Sequence, residues 1–363
     1  MGQFDVHPSA LNTFSGILSG GSDSVDLDRA FSTTAVGYVD SYSSVPHDAG
    51  DLFAEIYLAN RNVVTHLEGI YPQVATILRR SAAALDTSAQ VYRDTDTQVS
   101  AKADALWPGV APHALDEAPS SRARVVDPAS LLSATPSKDA PIPDMVHWVI
   151  DKAGWFSIAG LALKICSLFG LDPVKDLTQA VVGDYDELAQ AGHAAEALAA
   201  FERQAAETIV VGLQQMTSQW SGVAADAATA YFHELANALG THAAELDTLG
   251  EKYELLVQTC AQIAELLSGA LANAIDQVLI CVAELAAAGC LASVPGINVI
   301  ISVIGAYQVW KTQQAVALFL KYTGSVTTAV ESFLGLTTFI ASAFRDGDID
   351  STFPTAPYAN GAQ

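Results

Sequence analysis

The chain has 363 residues, 17 Lys and Arg against 40 Asp and Glu, and a net charge of −23, yet only 16% of its residues are charged and 50% are hydrophobic. That balance excludes an acidic disordered chain, which lacks apolar residues, and a nucleic-acid binder, which needs positive charge to displace counterions. What remains is a folded chain, soluble or membrane-visiting, with length for about two domains. Ala- and Leu-rich stretches without regular Gly, Asn and Pro punctuation argue against strands and for helices.

The expected fold is all-α: two helical-hairpin modules forming an elongated helical bundle, with a hydrophobic helical C-terminal region. In residues 1–105, Leu11, Phe14 and Leu18 line a short helix opened by Pro8 and Ser9 and ended by Gly20 and Gly21. A Ser-, Thr- and Asp-rich passage follows, through Pro46 and Gly50. Then Leu52, Ile56, Val63, Leu67, Ile70, Val74, Ile77, Ala84, Ser88 and Val91 recur at spacings of three and four or their sums. This predicts one helix from about Asp51 to Val99, bent at Pro72. Seven of the 14 prolines fall between Pro108 and Pro143, which predicts an extended linker over 106–143.

Residues 144–344 open on an apolar passage, Met145 to Gly170, that holds Trp148 and Trp155. Asp184 then caps a helix striped by Leu188, Ala191, Ala195, Leu198, Phe201, Ala205, Ile209, Leu213, Met216 and Trp220. Ser221-Gly222 interrupts the stripe, which resumes at Ala224 and continues through Ala228, Tyr231, Leu235, Ala238, His242, Leu246, Leu249, Tyr253 and Leu256 to Val278. The near-heptad repeat predicts a helix of roughly 80 Å, at about 1.5 Å per residue, packed antiparallel to its predecessor. From Leu285 to Trp310 no residue is charged, but Pro295-Gly296 divides the run. Each half, of about ten to fifteen residues, is too short to span a bilayer, so a buried helical hairpin is expected. Residues 345–363 are expected to form a flexible tail.

Catalytic signatures are poor, and no enzyme is expected. His233-Glu234 resembles the start of HExxH, but Asn237 stands where the second imidazole is needed, so zinc finds no pair of ligands one turn apart. Cys166, Cys260, Cys281 and Cys290 sit singly in apolar surroundings and read as buried thiols. No metal and no cofactor is expected. The opening Met1-Gly2-Gln3-Phe4-Asp5-Val6 has neither the basic nor the apolar region of a Sec signal peptide, so export would need another route.

Two short motifs stand out. Trp220-Ser221-Gly222 lies where one amphipathic helix stops and the next begins, so the glycine can take the turn and the indole can close the end of the core. Tyr92 and Asp96 form YxxxD near the end of the first long helix, where positions i and i+4 share a face and present phenol and carboxylate together as a surface mark. In this placement the chain resembles the type VII (ESX) secretion substrates of Gram-positive bacteria, the Trp-Xaa-Gly superfamily. The resemblance covers residues 1 to about 105 and 184 to about 290, including the opening Val6-His7-Pro8-Ser9-Ala10-Leu11. A second match, Trp107-Pro108-Gly109, is followed by linker rather than helix.

The resemblance implies an export signal of Trp220, Gly222, Tyr92 and Asp96 read by the secretion ATPase, small Trp-Xaa-Gly helical partner proteins, and a place outside the cell or in its envelope. The two motifs lie in different modules here, which implies an intramolecular pseudo-dimer with Tyr92 and Trp220 at one end. The rival expectation is a membrane-active protein or toxin-delivery module using residues 285–344, with Val299, Ile300 and Ile301 meeting the bilayer.

Overall fold

The computed structural model describes residues 5–20, 25–45, 51–106, 125–138, 185–287, 353–354 and 356–359, and among these it does not place the side chains of 5, 51–55, 100, 103–106 and 259–287. Trp148, Trp155, Cys166, Cys290, Asp184 and the apolar region from residue 288 onward, with Val299, Ile300 and Ile301, lie outside the described residues. The fold is all-α, as predicted.

Helix α1 (Pro8–Leu18) starts on Pro8, whose missing N–H costs nothing in a first turn, and buries Leu11, Phe14 and Leu18 as expected. The passage after it is helical too, which the sequence reading missed. Asp26 caps α2 (Leu27–Arg29) by accepting from the Arg29 N–H at 3.0 Å, a π-helical stretch spans Ala30–Ala35, and α3 (Val36–Tyr42) completes the segment. Its buried row is Leu27, Phe31, Ala35 and Val39. A row spaced strictly by four winds round a 3.6-residue helix, and the wider π turn keeps it on one side.

Helix α4 (Asp51–Leu106) continues through Pro72, which is exposed. Its buried face is Ile56, Asn60, Val63, Leu67, Ile70, Tyr71, Val74, Ala75, Leu78, Ser81, Ala82, Leu85, Ser88 and Ala89. The predicted stripe follows this face as far as Val74 and then drifts from it: Ile77 and Ala84 are only half-buried and Val91 is 53% exposed, while Ser88 stays buried. Counting by sevens assumes 3.5 residues per turn, whereas a helix with 3.6 drifts about 20° per heptad. Over the length of α4 that drift turns Val91 to solvent and Tyr92 toward the core.

Helices α5 (Tyr185–Thr217) and α6 (Val223–Ala287) run antiparallel on either side of Trp220-Ser221, and every residue of the predicted α5 stripe is buried. Matched positions run in opposite directions: Arg203 pairs with Asp247, Glu202 with His242, and Gly192 lies against Gly250. A Cβ on Gly250 would stand 3.2 Å from the Gly192 carbonyl oxygen, so the two glycines allow the backbones to approach closely. Glu202 and His242 are fully buried, with Nδ1 of the imidazole 2.8 and 2.7 Å from the two carboxylate oxygens. Beside them burial, and then the Glu202 charge, push the Tyr71 hydroxyl well above its usual pKa.

One apolar core joins the two regions. Phe31 meets Phe201 at a centroid distance of 4.8 Å, Phe14 of α1 meets Phe232 of α6 at 4.8 Å, and Tyr253 donates to Asn60 Oδ1 at 2.5 Å. Part of the predicted linker is packed rather than free. A 3-10 turn at Pro128–Leu132 buries Leu132, Val126 O accepts from Thr208 Oγ1 at 3.4 Å, and Lys138 pairs with Glu187 at 2.5 Å. Within the expected flexible tail, Phe353 and Tyr358 are 6% and 5% exposed, because two large rings gain more from burial than their short segment loses in freedom.

Candidate functional site

The end of the α5–α6 pair is built from the backbone outward. After Thr217 the chain leaves the helix, and Gln219 N–H donates to Met216 O at 3.1 Å. Trp220-Ser221 is extended and forms strand β2. Gly222 then takes φ 120°, a region open to glycine and strained for residues with a Cβ, and its carbonyl accepts the Asp226 N–H at 2.9 Å as α6 begins. The glycine of the motif is therefore there for its backbone, as expected.

A second piece of chain closes the turn, and the sequence reading did not find it. Residues Asp5–Val6 form strand β1, antiparallel to β2 with Asp5 opposite Ser221 and Val6 opposite Trp220, and the His7 N–H donates to Gln219 O at 2.9 Å. A strand of two residues has no readable period. Its only signal was the polar-apolar pair just ahead of Pro8.

Trp220 is 2% exposed, so it serves as the plug of the core end and is not itself a contact surface. Among the described residues nothing accepts its Nε1–H, a cost of about 1–3 kcal/mol that the packing of the indole must exceed. The Tyr92 ring packs against the indole with centroids 6.4 Å apart and planes at 66°, a favourable edge-on arrangement. Tyr92 is therefore half-buried, where the sequence reading made it a surface mark. Asp96 lies one turn further along α4 and is partly exposed. Thus Trp220 and Tyr92 meet beside the α5–α6 turn made by Gly222, and Asp96 borders that contact from the next turn of the same helix.

Next to this end lies an aromatic wall that the motifs did not reveal. Tyr358 packs on Tyr231 at 5.8 Å and on Phe232 at 5.7 Å, and its hydroxyl donates to Ala224 O at 3.4 Å. Burial, with Tyr92 as the next contributor, raises the pKa of the Tyr358 hydroxyl. Burial also raises that of Tyr231, against the opposing pull of hydrogen bonds with Ser81 and Tyr358. His233 and Glu234 are exposed on α6 and take no part. Among the described residues no cluster of His, Cys, Asp and Glu is arranged to hold a metal, and no helix is long and apolar enough to cross a membrane. Indole, phenol and a neighbouring carboxylate at a core boundary can pack, donate and accept hydrogen bonds, which is the chemistry of recognition. In comparison with known proteins, the chain matches no family model, no curated protein and no solved structure.

Proposed function

We propose that the chain is a non-enzymatic helical protein exported by, or associated with, a type VII secretion system and acting through protein contacts in or outside the cell envelope. The observation that supports this reading most is the packing of Tyr92 on Trp220, which brings two motifs far apart in sequence together at the α5–α6 turn. In the family that the sequence resembles, one hairpin or two partner chains present these motifs together. A single chain can do the same by folding its N-terminal region back onto the α5–α6 turn, with β1 as the clamp. The secretion ATPase would then meet Asp96 and the exposed rim of Tyr92 while Trp220 holds the geometry from below. Small Trp-Xaa-Gly proteins are the other partners this reading entails.

An export assay tests it in a strain carrying such a system. Asp96→Asn leaves the fold intact, because Asp96 is partly exposed. Loss of one charge-assisted contact should lower the exported fraction about tenfold at an unchanged intracellular level. Tyr92→Ala should lower it further. Export indifferent to both substitutions overturns the proposal.

A further inference from the structure

We propose that the groove between α4 and α6 is a peptide-recognition site whose resident ligand is the chain's own segment Phe353–Tyr358, exchangeable for an extended partner segment of the same chemistry. The inference does not depend on the export reading. It rests on how the segment is held.

Two rings anchor it. Phe353 lies edge-on to His242, with centroids 5.9 Å apart, and Tyr358 lies on Tyr231 and Phe232. From Phe232 to His242 is ten residues of α6, about 15 Å at 1.5 Å per residue. Five residues of chain can reach about 16 Å, so the two rings can seat along α6 in the direction opposite to the helix, Phe353 at His242 and Tyr358 at Phe232. Pro354 and Pro357 flank the two rings on their inner sides. Fixed φ at both keeps the free segment close to the extended form, which lowers the ordering cost of binding.

The contacts between the anchors read a backbone rather than fill a core. The Tyr358 N–H donates to the buried Ser81 Oγ at 2.9 Å, and the Ala356 carbonyl accepts from the Tyr231 hydroxyl at 2.9 Å. Ser81 has no exposed surface and sits on α4 among apolar neighbours, a place where a hydroxyl is costly unless something uses it. The tail's amide uses it, together with the Tyr231 hydroxyl. A site of buried hydroxyl, phenol donor and two aromatic seats selects a segment with aromatic residues five apart, prolines just inside them, and a free N–H at the second. Held by two rings and a few hydrogen bonds, such a segment opens at a fraction of the free energy needed to unfold the core.

The test uses the full chain carrying Phe353→Ala and Tyr358→Ala, which empties both seats, and a fluorescein-labelled peptide of residues 351–360. Fluorescence anisotropy should show saturable binding, weaker by about tenfold or more when the peptide carries Tyr358→Ala, and weaker for the unmodified chain because its own tail competes. A doubly substituted chain with unchanged helical circular dichroism that takes up no peptide overturns the proposal. So does equal binding of the two peptides. Hydrogen exchange on the unmodified chain decides independently of how the variant folds. The Tyr358 amide should exchange more slowly than in the free peptide, faster than core amides such as Leu198, and faster again in Ser81→Ala. Exchange at the rate of the free peptide, or at the rate of the core, overturns it.

Discussion

Glu202 carries a carboxylate into a place with no exposed surface, where an ion is tolerated only if paired and hydrogen-bonded. His242 supplies the pairing through Nδ1, and the contact to both carboxylate oxygens assigns the proton to that nitrogen. With Tyr71 beside it, the pair ties α4, α5 and α6 at one level, so a sliding of either α5 or α6 by one residue would strand a buried charge. Glu202→Ala should therefore cost about 3–5 kcal/mol, read as a lower urea midpoint with unchanged slope. The double variant Glu202→Leu, His242→Leu should lose less than the single one, because it removes both polar groups and leaves neither unpaired. His242 was legible as a stripe position of α6. Its partner was not, since Glu202 is adjacent to Phe201 in sequence and only the register of two helices brings it to the imidazole.

At the scale of elements, small differences in periodicity decide which faces meet. The drift of α4 away from a heptad moves the buried face from Ile77 to Leu78 and from Val91 to Tyr92, and so creates the contact with Trp220. Helix α1 depends on a single missing side chain. A Cβ on Gly212 would stand 2.7 Å from Phe14 Cδ2 and 3.2 Å from Ile17 Cδ1, and the aromatic ring cannot yield without moving α1 from α5. Gly212→Ala should thus destabilise by about 1–3 kcal/mol despite the better helix propensity of alanine. Hydrogen exchange should show the loss of protection concentrated in α1 and in the pair formed by β1, just before α1, and β2, just after α5. Uniform protection, or a gain in stability, would count against this seat for α1.

For the whole molecule the continuity of the core matters most. Phe31, Phe14 and Asn60 of the N-terminal region find their partners in Phe201, Phe232 and Tyr253, and the packed part of the proline-rich stretch lies along α5. Residues 1–106 expressed alone should then lack a stable fold: weak helical circular dichroism, no cooperative melt, and recovery of both on mixing with residues 107–363. A sharp melting transition of the isolated fragment would show that the region has a sufficient core of its own. The acidic surplus fits the same picture, since among the described residues the acidic side chains other than Glu202 lie on exposed or half-exposed faces while apolar ones pack between the helices.

The sequence by itself determined the long helices and, in α1, α5 and α6, their inward faces. Stripes of three-four spacing in α1, α5 and α6 are local properties of the chain, and burial follows them because water is excluded from whichever face is apolar. The turn at Trp220-Ser221-Gly222 was legible for the same reason, as a break in a stripe with a glycine to make it. What only the tertiary structure decided is who meets whom: Tyr92 with Trp220, β1 with β2, Glu202 with His242, and Phe353 and Tyr358 with the groove of α4 and α6. Those meetings depend on helix register and on accumulated twist over many turns. A tenth of a residue per turn is invisible in a short pattern and amounts to a different face by the end of a long helix.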